Sequence, residues 1–152
     1  MANRTGAART LAEAMGLTAE LGEGMAETAR RELEAGRPGP ARSILEGLVV
    51  ANPHDAEAWA LLARAHRSLG QRLAARFCGE VATCVEPGSM AARLAQAEGL
   101  LAFPEERPRA RALLEGVAAE EGGEAARARA LLTAIGSGQD AQRGSVAEVG
   151  GI

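Results

Sequence analysis

The sequence predicts an all-α fold, and two features of its composition carry that prediction. Hydrophobic residues make up 47% of the 152 residues, whereas aromatic residues make up only 2%. Alanine and leucine supply most of the apolar surface, and both favour helices. Strand formers are sparse, since Val49–Val50 is the only pair of adjacent β-branched residues. We expect one domain of closely packed helices, because small side chains fill a core only when backbones approach each other.

The charged residues argue against several classes of function. All 17 basic residues are arginine, and the formal net charge is −3. The short arginine cluster between residues 107 and 111 is offset by neighbouring glutamates, so nucleic-acid binding is not predicted. The longest uncharged run, residues 130–139, is too short to span a membrane, and the N-terminal stretch lacks a signal-peptide core. A cytoplasmic protein without membrane contact is expected.

The clearest local pattern lies in the middle of the chain, where residues 56–87 read as two amphipathic helices joined at Gly70. Residues at helical spacing form one buried face on each helix: Trp59, Leu62, Ala63 and His66 on the first, and Ala75, Cys78, Ala82 and Val85 on the second. Glycine at position 70 suits the left-handed C-cap of a helix, and Pro87 prevents the second helix from continuing. The segment therefore predicts a helix–turn–helix unit.

This unit resembles the tetratricopeptide repeat (TPR), a helix–turn–helix motif of 34 residues. With Ala56 as the first position, six of eight characteristic positions match: Trp59, Leu62, Ala63, Ala75, Ala82 and Pro87. His66 and Gly79 occupy the two positions where the family has aromatic residues. The same period places one further unit on each side. The resemblance therefore predicts TPR units at residues 22–55, 56–89 and 90–123.

The flanking units match the pattern to different degrees. The first has Met25 in the tryptophan position and Pro53 in the proline position, whereas the third has Arg93 in the tryptophan position. The motif of residues 41–48 (ARSILEGL) recurs at residues 110–117 (ARALLEGV), which fixes the alignment of the third unit. This alignment predicts that the second helix of the third unit is one residue out of phase.

Segments outside the repeats are predicted to cover the two ends of the solenoid, as repeat proteins require. Thr10 is a candidate N-cap for an N-terminal helix over residues 10–21, with one stripe formed by Leu11, Met15, Thr18 and Leu21. That helix either covers the first repeat or forms a homodimer surface. Residues 124–136 are predicted to form a capping helix that Gly136 ends. Residues 1–9 are expected to be disordered, and residues 137–152 to be a flexible tail.

The sequence predicts no catalytic residue, no metal site and no cofactor. His54 follows a proline turn and His66 occupies a repeat position, and neither has a Cys, Asp or second His at metal-ligand spacing. Cys78 and Cys84 lie six residues apart, which places them on different helix faces. We expect both to be buried free thiols.

The TPR resemblance implies that the first helices of successive repeats line a concave groove. The groove residues carried over from the family are Arg30, Leu33, Ala60, Arg64, Arg67, Leu94, Glu98 and Leu101. Three arginines among them predict a basic strip beside apolar residues, which suits a protein or peptide segment with apolar anchors and an acidic or carbonyl-rich edge. The alternative is that these arginines are only solvated helix faces.

In size and layout the chain is similar to the small three-TPR chaperones of bacterial type III secretion. Those proteins have a short N-terminal helix, three repeats and a final helix, and residues 95–100 (AQAEGL) resemble their third repeat. The resemblance implies a non-enzymatic, cytoplasmic chaperone that holds one partner. The alternatives are a generic TPR adaptor or regulatory subunit within a larger bacterial assembly, and an accessory domain of an enzyme.

Overall fold

A computed structural model describes residues 10–147, with side chains described through residue 138. Within these residues the chain forms helices only: α1 Leu11–Ala14, α2 Ala19–Glu34, α3 Pro38–Ala51, α4 Ala56–Ser68, α5 Arg72–Val85, α6 Met90–Leu100, α7 Arg107–Ala118 and α8 Gly123–Ala147, with a 3-10 turn at Pro104–Glu106 before α7. The predicted all-α class is confirmed. The predicted disorder of residues 1–9 lies outside the described residues.

The helices form a short solenoid in which each one packs against the next along the chain from α2 to α8. Helices α2, α4, α6 and α8 also contact one another in series, whereas α3, α5 and α7 make few or no contacts with each other. Because the first helices of the repeats (α2, α4, α6 and α8) touch while the second helices (α3, α5 and α7) lie farther apart, the stack curves toward the first helices. Helices α2, α4, α6 and α8 therefore line the concave face.

The helix starts show the 34-residue period and its slip. Helix α5 begins at Arg72, 34 residues after α3 begins at Pro38, and α7 begins at Arg107, 35 residues after α5. Gly36 and Gly70 both have φ +73°, the left-handed conformation expected of the glycine that follows a helix. The extra residue lies in the α6–α7 turn, which contains the 3-10 helix and spans residues 101–106.

Side-chain caps start the helices of the concave face. The Asp55 carboxylate accepts a hydrogen bond of 2.9 Å from the Ala58 N–H at the start of α4, and the Ser89 hydroxyl accepts one of 3.2 Å from the Ala92 N–H at the start of α6. Thr18 caps α2 in the same way. Because these caps satisfy N–H groups that the helix cannot pair, they fix where α2, α4 and α6 begin.

The core forms two clusters that meet at α6. The larger cluster joins α2 to α6 around Leu45, Leu48 and Leu62, and the smaller one joins α6, α7 and α8 around Leu94, Leu114 and Val117. Alanines fill the helix contacts: Ala63, Ala75 and Ala82, which the repeat pattern places there, are 0 to 3% exposed. All residues of α6 from Ala92 to Leu100 except Arg93 are buried. Helix α6 is thus the centre of the molecule.

Helices α5 and α6 cross at two glycines. A Cβ added to Gly79 would lie 2.8 Å from the Gln96 Cα, and one added to Gly99 would lie 3.0 Å from the Arg76 Cα. The two backbones therefore touch reciprocally, with Gly79 against α6 and Gly99 against α5. This contact explains why Gly79 stands where the family has an aromatic residue: α6 itself occupies that space.

The prediction of one N-terminal helix over residues 10–21 is wrong in its extent. Helix α1 ends at Ala14 and α2 begins at Ala19, because Gly16 takes the left-handed conformation (φ +70°) and the Thr18 hydroxyl caps a new helix. Thr10 does cap α1, and it shares a capping box with Glu13. The break splits the predicted apolar stripe between two helices.

The predicted helix end at Gly136 is also wrong. Helix α8 continues to Ala147, so the part of the predicted tail between residues 137 and 147 has a helical backbone, and residues 148–152 lie outside the described residues. Glycine inside a helix costs only about 1 kcal/mol, which the flanking helix formers offset. Instead of capping a terminus, the Ser137 hydroxyl donates to the Thr133 carbonyl within the helix.

The two cysteines differ, contrary to the expectation that both are buried. Cys78 is 3% exposed in the larger core cluster, and burial raises the pKa of its thiol to about 11, with a further contribution from the charge of Glu46. Cys84 is exposed and is also a free thiol. Because Cys84 follows Cys78 by six residues, its side chain lies on a different face of α5 from the one that packs in the core.

Candidate functional site

The concave face contains an open cavity of about 300 Å³ where α2, α4, α6 and α8 converge. Five of the eight predicted groove residues line it: Arg30, Ala60, Arg64, Leu94 and Glu98. The structure thus brings together residues from three repeats that lie up to 68 positions apart in the sequence.

The floor of this cavity is apolar and is built from small or medium side chains. Ala60 and Leu61 of α4 and Leu94 and Ala95 of α6 line it, each 7 to 9% exposed. Ala91, one turn before on α6, is half-buried at the same cavity. Alanines on both facing helices leave a depression that larger side chains would close. The depression therefore follows directly from the alanine-rich composition.

Arg30 on α2 forms one edge of the cavity and is held by two carboxylates. Its guanidinium donates to Glu27 on the same helix and to Glu57 on α4. Burial acts to lower the pKa of Arg30, but the hydrogen bond to Glu27 and the charge of Glu57 outweigh it, so the pKa lies above its ordinary value. Arg30 is therefore a charged link between α2 and α4 whose charge is already balanced.

The opposite edge is organised by Glu98, a carboxylate that is only 8% exposed on α6. The Arg67 Nε of α4 lies 3.4 Å from one Glu98 oxygen, and the Arg127 Nε of α8 donates to the other. A buried carboxylate is tolerated when it is paired and hydrogen-bonded, and here both oxygens have an arginine. Glu98 thus links α4, α6 and α8 at one end of the cavity.

Arg64 lies between these two paired edges. It is half-buried on α4, one helical turn after Ala60, and lines the cavity. Among the described residues no carboxylate lies within 4.0 Å of its guanidinium, whereas Arg30 has two and Arg67 has one. Of the three arginines in the basic strip that the resemblance implied, two are thus ion-paired, and Arg64 is the one without such a contact.

Three predicted groove residues do not line this cavity. Leu33 packs against the larger core cluster, and Leu101 packs against the smaller one. Arg67 contacts Glu98 but does not itself line the cavity. For Leu101 the reason is that α6 ends at Leu100, so the family position that faces the groove in a longer helix falls in the turn.

Helix α8 supplies a wall of the cavity that the sequence analysis did not assign. Gly123, Glu124 and Arg127 from its first turns line the cavity opposite α4. Helix α8 begins 33 residues after α6, so it occupies the place of the first helix of a fourth repeat. Treating it as such a helix would have predicted position 127 as a groove residue. The segment predicted as a cover is thus also part of the concave face.

A second, larger depression lies on the N-terminal side of Arg30. Its volume is about 730 Å³, and residues of α1, α2 and the α3–α4 turn line it. Arg30 and Glu57 line both depressions, so their ion pair separates the two along the concave face. The two depressions are therefore adjacent, on either side of this ion pair.

Neither a metal site nor a membrane span is found in the described part of the chain. No group of three or more His, Cys, Asp or Glu side chains between residues 10 and 138 is arranged to hold a metal ion. No described helix combines the length and the apolar character needed to cross a bilayer.

Comparison with known proteins identifies the fold. No protein-family model matches the sequence, and neither does any curated protein sequence. The type III secretion translocator chaperone SycD of Yersinia enterocolitica is similar in structure, with a TM-score of 0.69, 18% identity, and coverage of 82% of this chain and 97% of SycD.

Two complexes give similar values. A type III secretion complex from Aeromonas hydrophila has a TM-score of 0.72 at 21% identity, over 86% of this chain and 91% of that one. The CopN–Scc3 complex has a TM-score of 0.67 at 14% identity, over 89% and 78%. At these identities the similarity shows the fold alone. The chain has the TPR-like solenoid fold found in a type III secretion translocator chaperone.

Proposed function

We propose that this protein is a non-enzymatic scaffold that binds a segment of one partner protein on its concave face, as a cytoplasmic chaperone of a type III secretion system. The observation that carries the proposal is the cavity with the apolar floor of Ala60, Leu61, Leu94 and Ala95 between α4 and α6. The similarity of the whole fold to SycD supports it, since that protein is a translocator chaperone.

The chemistry of the cavity suits a peptide segment. Binding sites are concave and mostly apolar, with a few polar groups that set the orientation of the ligand. Here the apolar floor lies between Arg30 and Glu98, which are both held in ion pairs. An extended or helical segment that places one or two apolar side chains on the floor would bury them without disturbing these pairs.

Site-specific photo-crosslinking in the native organism tests this proposal. A photoreactive amino acid at Glu124, a half-buried residue of α8 that lines the cavity, should give one abundant cross-linked protein. The control is the same amino acid at Ala112, an exposed alanine of α7 away from the concave face. The identity of the product is read by mass spectrometry. Cross-linking of equal yield at both positions, or none at Glu124, would contradict the proposal.

The alternative, a TPR adaptor or regulatory subunit in a larger assembly, is distinguished by the behaviour of the captured protein. A chaperone client is expected to aggregate or be degraded when it is expressed without this protein, and to become soluble in a stoichiometric complex on co-expression. An adaptor's partner is expected to be soluble in both cases. Client solubility that does not depend on co-expression would favour the adaptor.

A further inference from the structure

Arg64 is the one cavity-lining arginine whose charge is not balanced by a carboxylate within 4.0 Å in the described residues. The other two, Arg30 and Arg127, pair with Glu57 and Glu98. Arg64 is half-buried and lies one turn from Ala60 on the same face of α4. A guanidinium is thus placed beside an apolar floor without a fixed acidic partner.

The surrounding charges do not supply that partner. Glu57 and Glu98 are each held by an arginine from another helix, so their charges are already compensated. Glu124, in the first turn of α8, also lines the cavity, but it makes no salt bridge with Arg64. Arg64 is therefore the cavity-lining guanidinium without a direct carboxylate partner among the described residues.

We propose that the segment bound on the concave face carries an aspartate or glutamate that pairs with Arg64, next to an apolar side chain that packs on Ala60 and Leu94. This inference rests on the proposed function and adds the chemistry of the partner. An aliphatic side chain alone would fill the floor but would cover Arg64 without replacing its hydrogen bonds to water. A carboxylate beside the apolar anchor replaces them.

The expected strength follows from the geometry of arginine. Its planar guanidinium can donate two parallel hydrogen bonds to one carboxylate, and such charge-assisted pairs are about twice as strong as neutral ones. Exclusion of water by the bound segment strengthens the pair further. Replacing the acidic residue by its amide should therefore weaken binding about tenfold.

The experiment uses a phage-displayed library of random peptides as the probe. The library is selected on the wild-type protein, and binders that are lost on the Ala91→Trp variant, which fills the cavity, are kept as groove binders. Far-UV circular dichroism verifies that the variant is folded, and Ala91→Leu replaces it if it is not. The best groove binder is synthesised with its aspartate or glutamate and, separately, with the corresponding amide. Affinities are measured by isothermal calorimetry.

The expected result is a tenfold preference for the acidic peptide on the wild type, which disappears on Arg64→Met. Arg64→Lys should retain part of the preference, because the charge remains but the two parallel hydrogen bonds are lost. The matched control Arg72→Met changes the net charge equally at an exposed residue outside the cavity, and it should keep the full preference.

Three outcomes are distinguishable. Groove binders whose acidic residue matters only when Arg64 is present support the inference. Groove binders without an acidic preference, or with one that persists in Arg64→Met, overturn the inference and leave the proposed function standing. A selection that yields no peptide sensitive to Ala91→Trp overturns both.

Discussion

The crossing of α5 and α6 makes a sharp prediction about alanine at Gly79. The new Cβ would lie 2.8 Å from the Gln96 Cα, and the Ala95 carbonyl oxygen and Gln96 nitrogen would both be 2.9 Å away. Ordinary contact between carbon atoms begins at about 3.5 Å, so the helices would have to separate by about 0.7 Å. All three atoms belong to the backbone and cannot move aside as a flexible side chain could.

The expected magnitude is the difference of two effects. Overpacking of this kind typically costs about 1–3 kcal/mol, whereas alanine in place of glycine inside a helix contributes about 1 kcal/mol. We expect Gly79→Ala to lower the free energy of unfolding by up to about 2 kcal/mol. Gly99→Ala should cost less, because its nearest atom, the Arg76 Cα, lies at 3.0 Å and the others at 3.2 Å.

The chain offers matched controls in Gly47 and Gly116. Both are exposed helix glycines at the same place in the repeated motif of α3 and α7, and a Cβ added to either meets nothing within 4 Å. Gly47→Ala and Gly116→Ala should therefore raise the free energy of unfolding by up to about 1 kcal/mol. Urea denaturation followed by far-UV circular dichroism measures all four variants. An equal stabilisation by Gly79→Ala and Gly47→Ala would refute the close crossing.

Four further predictions concern a helix cap, the two thiols and the buried carboxylate. Asp55→Ala should lower the free energy of unfolding by about 1 kcal/mol while Asp55→Asn changes it by only a few tenths, as chemical denaturation would show, because asparagine also caps a helix. At pH 8 iodoacetamide should label Cys84 but not Cys78 in the folded protein, as read by mass spectrometry, and equal labelling would contradict the burial of Cys78. Because burial raises the Cys78 pKa to about 11, the free energy of unfolding should fall as the pH rises from about 9 toward 11, and Cys78→Ala should remove that part of the pH dependence. Glu98→Ala should lower the free energy of unfolding by about 1 kcal/mol, because the Arg67 and Arg127 side chains that it leaves unpaired are 39% and 45% exposed, and the effect should be smaller when Arg127→Ala is already present.

The sequence predicted the helix boundaries best where a local stop signal is followed by a local start signal. Gly36 and Gly70 end the first helices of two repeats in the left-handed conformation, as predicted. Gly16 does the same, and the signal that could have located the break is Thr18, a good N-cap two residues later. Gly136 is also followed by a residue of a capping type, Ser137, yet the helix passes through and the Ser137 hydroxyl donates to the Thr133 carbonyl. Glycine alone therefore does not determine a helix end.

The candidate site was predictable in its position but not in its charge. The TPR resemblance implied groove positions on α4 and α6, and four of them, Ala60, Arg64, Leu94 and Glu98, line the cavity. Whether an inward arginine is paired depends on residues from other helices. Glu57 lies 27 positions from Arg30, and Arg127 lies 29 positions from Glu98, so no periodic pattern relates the partners. Only the packed structure shows that no described carboxylate lies within 4.0 Å of the Arg64 guanidinium.

The third repeat departs furthest from the family pattern, and its position in the molecule explains why. Helix α6 must contact α4, α5, α7 and α8, whereas a terminal helix has free surface on one side. Gly99 admits the backbone of α5, Leu94 joins the cavity floor to the smaller core cluster, and Glu98 binds arginines from both α4 and α8. Even Arg93, in the tryptophan position, reaches Glu120 beyond the end of α7 at 3.7 Å. A consensus repeat would have tryptophan at position 93 and would lose this contact with Glu120. The irregular repeat is thus the one that shapes the concave face.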